Sequence, residues 1–289
     1  MNLTHHWPAR VAFAFISGGV IAVLGGLMGL GGAEFRLPVL IGALGFAARQ
    51  AVPLNLLVSL ATIVVALVAR TILAPPVPLS GFAVEIAAVM AGAVTAAWAG
   101  TGLFRRLADH KLERLVGILL LAIAAVLLVE AAMPVGLSVG LPDDAVLRVV
   151  VGIVAGLAIG MVSSLLGVAG GELIIPTMVL AFGADIRTAG TASLSISLPT
   201  VLVGVVRYAR QRAYGNRTAL SSVAAPMAVG SVLGATLGAT LVGLVPSGAL
   251  KVILGVILAV SALKMLRHRR VADRVRAEAA KPASGTLDC

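Results

Sequence analysis

The sequence holds one cysteine in 289 residues, Cys289, the last of the chain. That excludes an intrachain disulfide and any metal site built on thiolates. Histidine is scarce as well. His5, His6, His110 and His268 lie apart in polar tails or charged segments, where solvated side chains are expected. Charge of either sign is thin, at 12% of residues. No nucleophile–base pair, metal set or acid–base cluster is visible, so no catalytic residue, metal or cofactor is expected. What the chain has in abundance is apolar: 60% hydrophobic residues and a mean hydropathy of +1.08.

Charge-free runs cover residues 11–33, 50–69, 86–104, 149–171, 188–206 and 218–250. About 20 apolar residues cross a hydrocarbon core, and each run is about that long or longer. Residues 115–129 form a shorter run interrupted afterwards by Glu130, and Lys251 and Lys264 bracket another, able to snorkel at its ends. The expectation is an all-α, polytopic helical membrane protein with about eight transmembrane helices. The first run follows Arg10 like a signal peptide, but it is too long and ends in Gly-Leu-Gly-Gly-Ala-Glu rather than a small-x-small cleavage site. It is read as retained.

The net charge of +10 does not point to nucleic acid. Of 22 Lys and Arg residues, 15 fall within residues 105–114, 207–217 and 264–281. Basic residues at helix ends mark the cytoplasmic side and meet anionic lipid. Residues 130–147, in contrast, hold no basic residue and carry Asp143 and Asp144.

Two stretches 138 positions apart are one motif. Gly-Leu-Met-Gly-Leu-Gly-Gly-Ala-Glu-Phe-Arg-Leu-Pro begins at Gly26, and Ser-Leu-Leu-Gly-Val-Ala-Gly-Gly-Glu-Leu-Ile-Ile-Pro begins at Ser164. Glu34 maps onto Glu172 (172 − 34 = 138) and Pro38 onto Pro176. From Gly29 to Thr62 the register gives 12 identities in 34 positions, against about 4 expected at this composition. Gly92, Gly100 and Gly117 pair with Gly230, Gly238 and Gly255; Gly92, Gly100, Gly230, Gly234 and Gly238 read as close-packing surfaces. The basic segment 207–217 maps onto 69–79, which holds only Arg70, and 105–114 maps onto 243–252, which holds only Lys251. Charge moves to the opposite loop, so the halves are expected to be inverted repeats. The organisation follows: a cytoplasmic tail at 1–10, a first membrane repeat at 11–133, an external connection at 134–148, a second repeat at 149–266 and a basic cytoplasmic tail at 267–289.

Inversion requires an odd number of crossings per half, while each half shows four long apolar segments and a short one, 35–46 or 173–184. Twelve helical residues span about 18 Å, little over half of a roughly 30 Å core. A re-entrant hairpin with its glycine tip near the midplane is therefore preferred over a fifth crossing. Gly31, Gly32, Gly170 and Gly171 would shape the tips, and short helices restarting at Phe35 and Leu173 would offer their N-termini to an anion. Pro38 and Pro176 would sit near the first turn of those helices.

Glu34 and Glu172 fit two readings: caps for their own helix N-termini, or protonatable, ion-coupling residues inside the membrane. Arg36 stands beside Glu34 but is replaced by Ile174 in the second copy, so the site is asymmetric. Behind the tips, Asn55, Ser59 and Thr62 match Ser193, Ser197 and Thr200, spaced to share one helix face. They would serve helix packing or line a substrate path. Arg49 and Arg187 are equivalent; they read as interfacial anchors or as anion-attracting, gating residues at two cavity mouths.

Gly-Leu-Gly-Gly-Ala-Glu-Phe-Arg-Leu-Pro and Gly-Val-Ala-Gly-Gly-Glu-Leu-Ile-Ile-Pro resemble the paired signature of the TauE/SafE family of sulfite and organosulfonate exporters. The resemblance runs from Val11 to about Leu266. Ala33 replaces the third glycine usual in the family's first motif, and Ala169 precedes only two glycines in the second. The resemblance implies a multi-pass inner (plasma) membrane permease, both termini cytoplasmic, exporting a small anion such as sulfite, sulfoacetate or a related sulfonate. Expected partners are that anion, the lipid bilayer, a coupling proton or cation and a second copy in a homodimer. The alternatives are an anion channel, a permease for another small organic acid, and an integral membrane enzyme.

Overall fold

The structure, a computed structural model, describes residues 7–73, 77–106, 141–142 and 144–241, with isolated helical positions between 118 and 129 and between 252 and 263. Among the described residues there is no strand. Helix α1 is Trp7–Met28, and α2 is Ala33–Pro38, prolonged by a π-turn at Val39–Ala43. A long α3, Ala48–Leu73, is followed by α4, Ala83–Arg106. The second half repeats this with α5, Ala145–Leu166, α6, Gly171–Pro176, its π-turn Thr177–Ala181, and α7, Ile186–Arg210. Helix α8, Arg217–Thr240, contains a third π-turn at Leu220–Ala224. Six of the helices are long and apolar enough to cross a membrane. The further apolar segments that would bring the total to eight, and most of the basic segments 105–114 and 264–281, lie outside the described residues.

The 138-residue register is reproduced in the backbone. Trp7–Met28 shifts onto Ala145–Leu166, Ala33–Pro38 onto Gly171–Pro176, and each π-turn onto the other. Six glycines have left-handed φ, and they are three equivalent pairs: Gly29 and Gly167, Gly32 and Gly170, Gly45 and Gly183. The first pair ends α1 and α5, and the second starts α2 and α6. Side chains with a Cβ rarely adopt such angles, which is why the apolar helix breaks where the motif lies. The restart comes at Ala33 and Gly171, two residues earlier than the sequence suggested. Pro38 and Pro176 therefore stand at the sixth helical position rather than in the first turn, and the helix passes directly into a π-turn behind each. A proline here removes one N–H and crowds the preceding turn; the wider turn accommodates that defect.

The chain doubles back at each break. Gly32 packs against Ile21 and Gly170 against Ile159, an equivalent pair of contacts. At the open end the Arg10 guanidinium lies 5.0 Å from the centre of the Phe46 ring, and Arg148, the equivalent of Arg10, donates to the Phe182 carbonyl at 3.1 Å. Each hairpin thus returns to the level at which it entered, the arrangement that the shortness of residues 35–46 and 173–184 favoured over a fifth crossing.

The halves are inverted. Arg70 meets Thr191, Leu56 meets Gly204, and Pro53 meets Tyr214, so rising numbers on α3 meet falling numbers on α7. Because α3 and α7 are equivalent helices, antiparallel packing between them means that one half is upside down relative to the other. The outer pairs obey the same exchange: α1 packs on α8 and α4 on α5. Glycines permit the close approach. A Cβ on Gly230 would strike the Phe15 carbonyl, and one on Gly92 would strike that of Ile153, its equivalent. Gly100, Gly234 and Gly238 are similarly crowded, in keeping with their packing role. Val20, Val68, Val154, Leu202 and Leu233 face outward, while Glu34, Arg36, Asn55 and Glu172 are buried. Apolar surface and polar interior are the distribution a bilayer solvent selects.

Candidate functional site

The hairpin tips meet. A Cβ on Gly31 would lie 3.2 Å from the Ala169 side chain, and these two residues are equivalent (169 − 31 = 138), so the pseudo-two-fold axis runs between them. Each tip also reaches across the axis. Gly29 is pressed on Gly190 of α7, where a Cβ would come within 2.6 Å of the carbonyl oxygen, and Gly167 is pressed on Val52 of α3. The axis of an inverted repeat lies in the membrane plane, so contact on it puts the meeting point midway between the two faces.

Around this point the first half carries a dense network. Arg36, entirely buried, spans it. Its Nη2 donates to the Gly31 carbonyl at 2.7 Å and to Ser59 at 2.9 Å; Nη1 donates to Thr62 at 3.1 Å and Ser231 at 3.2 Å; Nε donates to Asn55 Oδ1 at 3.4 Å. The Asn55 amide donates to the Ala33 carbonyl at 2.7 Å and to the Gly167 carbonyl at 2.9 Å, tying both tips to α3. Ser231 in turn donates to the Gly18 carbonyl at 3.1 Å. A buried guanidinium is costly unless its donors are met, and the Asn55, Ser59 and Thr62 stripe meets most of them.

The second half lacks this cation. With Ile174 in place of Arg36, Ser197 donates straight to the Ala169 carbonyl at 2.8 Å, the equivalent of the Gly31 carbonyl that Arg36 takes. Thr200 bonds back to its own helix at Ile196. Ser193, the counterpart of Asn55, is buried beside Gly171 and its hydroxyl has no partner.

Neither glutamate caps a helix. The N-cap residues are Gly32 and Gly170, which have no side chain to cap with. Both Glu34 oxygens and both Glu172 oxygens are buried without a hydrogen-bond partner.

Arg49 and Arg187 lie apart from the tips. Both are exposed. Arg49 lines a cleft of ≈ 420 Å³ with Pro53, Tyr208, Arg210, Gln211, Arg212 and Ala213.

Two residues that hold the tips escaped the sequence reading. Arg70, taken for a loop residue, is buried within α3 and donates to the Gly26 and Leu27 carbonyls at 3.2 Å each and to Thr191 at 3.3 Å. Tyr208, also buried, donates to the Ser164 carbonyl at 2.9 Å. They are equivalent positions, but comparison of the repeats for shared residues discards an Arg–Tyr pair. Ser231 was missed similarly, since Ala93 stands at its equivalent. The lone arginine that closes the charge-free run 50–69 was the available signal for Arg70.

A model of the sulfite exporter TauE/SafE family matches the chain over residues 2–127 and 151–287. No curated protein and no solved structure matches it.

Proposed function

The chain belongs to the sulfite exporter TauE/SafE family, and from that premise we propose that it exports a small oxyanion or organosulfonate, such as sulfite, by alternating access around the paired hairpin tips. The observation that carries this reading is the set of orphaned polar atoms at one point. The Glu34 and Glu172 carboxyls and the Ser193 hydroxyl are buried without partners, near the place where two glycine tips from opposite sides touch. Buried polar groups are nearly always satisfied, and a site that must bind and release an ion is where exceptions are retained. Arg36 supplies the positive charge for the anion. The glutamates carry the coupling protons, so their charge is removed while substrate occupies the site.

The protein sits in the inner (plasma) membrane with the basic segment 207–217 and both termini on the cytoplasmic side, following the positive-inside rule. Sulfite and sulfoacetate flux into inside-out proteoliposomes, with and without a pH gradient, tests the reading. Saturable uptake of at least one anion, altered by the gradient, is the expected result. Absence of uptake across a panel of small oxyanions and sulfonates would overturn it.

A further inference from the structure

Hydrogen-bond donors at the meeting of the tips are spent unevenly. A guanidinium has five N–H donors, and those of Arg36 are all taken, by the Gly31 carbonyl, Ser59, Thr62, Ser231 and Asn55 Oδ1. The side chains that hold it have spent their own donors as well. Both Asn55 amide hydrogens go to the Ala33 and Gly167 carbonyls. Ser59 donates to the Asn55 carbonyl at 2.7 Å, Thr62 to that of Val58 at 2.8 Å and Ser231 to that of Gly18 at 3.1 Å. Arg36 therefore offers a ligand its charge but no free N–H, and its neighbours in this network offer no free donor either.

Across the axis the outcome differs. Ser197 and Thr200 donate to the Ala169 and Ile196 carbonyls, but the Ser193 hydroxyl, 1% exposed, has no partner. It is the one spare donor among Asn55, Ser59, Thr62, Ser193, Ser197 and Thr200. Each residue that closes the first network has a smaller counterpart in the second half: Ile174 for Arg36, Ser193 for Asn55, Ala93 for Ser231 and Gly171 for Ala33. A Cβ at Gly171 would lie 2.9 Å from the Ser193 Oγ and 2.8 Å from the Leu30 Cδ2. Leu30 belongs to the first tip and Gly171 to the second, so the unpaired hydroxyl stands where the tips come together. The methyl that Ala33 carries is missing there.

We propose that Ser193 recognises the anion: its O–H donates directly to an oxygen of the substrate, while Arg36 acts on that anion through charge alone. A buried hydroxyl without a partner destabilises the fold, and an oxyanion or sulfonate oxygen supplies the acceptor that the fold leaves out. This puts the anion on the second-half side of the axis, in the half without a buried arginine. The inference rests on the transport reading for the class of ligand and adds the residue that contacts it.

Binding of sulfite and of sulfoacetate to the detergent-solubilised full chain, with the unfolding temperature measured alongside, tests it. Ser193→Ala deletes no hydrogen bond of the structure, so its unfolding temperature should match or exceed the parent's. Its Kd for whichever anion the parent binds should rise by about tenfold or more, the scale of a lost bond to a charged acceptor. Ser193→Cys, similar in shape with a weak S–H donor, should fall between the two. Gly171→Ala, which sets a methyl against the hydroxyl, should weaken binding as well. An alanine variant that binds as the parent does, within about twofold, would overturn the assignment and leave the transport reading standing. A markedly lower unfolding temperature in Ser193→Ala would overturn it too, since the hydroxyl would then have a structural partner. Weakened binding in that variant, beside a parent that shows no flux, would keep the assignment and refute transport. A parent that binds neither anion would overturn both.

Discussion

The Arg70 guanidinium and the Tyr208 hydroxyl occupy equivalent places in the two halves, and each donates to a carbonyl at the end of the neighbouring hairpin's first arm, Gly26 and Ser164. Those two acceptors are themselves equivalent (164 − 26 = 138). One latch is a buried cation with three acceptors; the other is a neutral phenol with one. With Arg36 opposite Ile174, both buried cations of the site region belong to the first half.

The latches should differ in cost. Arg70→Ala leaves the carbonyls of Gly26 and Leu27 and the Thr191 hydroxyl without this donor, about 1–3 kcal/mol for each group left unsatisfied. Tyr208→Phe loses the bond to the Ser164 carbonyl, about 1 kcal/mol. Thermal unfolding of the detergent-solubilised protein should rank parent, Tyr208→Phe, then Arg70→Ala. The reverse order of the two variants would mean that the Arg70 bonds contribute little.

The tip glycines should tolerate no bulk. Gly32 and Gly170 stand at φ 65 and 77, where a Cβ costs roughly 1–2 kcal/mol, and a Cβ there would come 3.0 Å from Ile21 and 2.7 Å from Ile159. Gly32→Leu and Gly170→Leu should each abolish flux. Transport that survives both substitutions would return these glycines to a packing role.

Helix α7 carries Ser193 and Ser197, and Asp185 starts it. Its carboxyl accepts from the amides of Arg187 and Thr188 at 2.9 and 3.1 Å and from the Thr188 hydroxyl. Burial would raise its pKa, but the Thr188 hydroxyl and the amides of Thr188 and Arg187 outweigh that and hold it below the usual range. A lowered folded-state pKa means that the stabilisation is present above the unfolded value, about 3.9, and fades as pH falls through the lower folded one. Asp185→Ala should cost about 1 kcal/mol at neutral pH and little once the parent's carboxyl is protonated. Unfolding midpoints measured across that range check the convergence.

What the sequence disclosed was whatever the two halves share. Glu34 with Glu172, the glycine breaks, and the Asn55 and Ser193 stripes were all visible because residue type repeats at 138 positions, and inversion followed from the exchanged loop charges. What it hid was function carried by unlike residues at like positions: Arg70 with Tyr208, Ser231 with Ala93. It also hid geometry set by packing. Pro38 looked like a first-turn proline because the restart of α2 depends on where Gly32 can adopt a left-handed angle, and spacing does not encode that. The partners of Arg36 could not be read either, since Ser231 comes from a helix 195 residues away.

Orientation has its own check. Single cysteines in a Cys289→Ser background, placed near residues 110 and 212 and after Lys264, should be shielded from an impermeant thiol reagent outside the cell. Those near Pro76 and Asp143 should be labelled. Labelling of 110 and 212 from opposite sides would contradict the cytoplasmic assignment of the basic segments.

The paired carboxyls separate coupling from architecture. Because neither caps a helix and neither has a hydrogen-bond partner, an amide of the same shape forfeits no bond by replacing them, and Glu34→Gln and Glu172→Gln should unfold within about 1 kcal/mol of the parent. The amide cannot exchange a proton, however. If these residues carry the coupling protons, flux driven by a pH gradient should fall at least tenfold in one of the single variants while exchange of anion for anion at equal pH continues. Glu172→Gln should show the larger effect, since Ile174 leaves no arginine two residues along to hold a charge at that tip. A double variant whose flux follows the pH gradient as the parent's does would remove both glutamates from the coupling mechanism and leave them as buried groups awaiting another explanation.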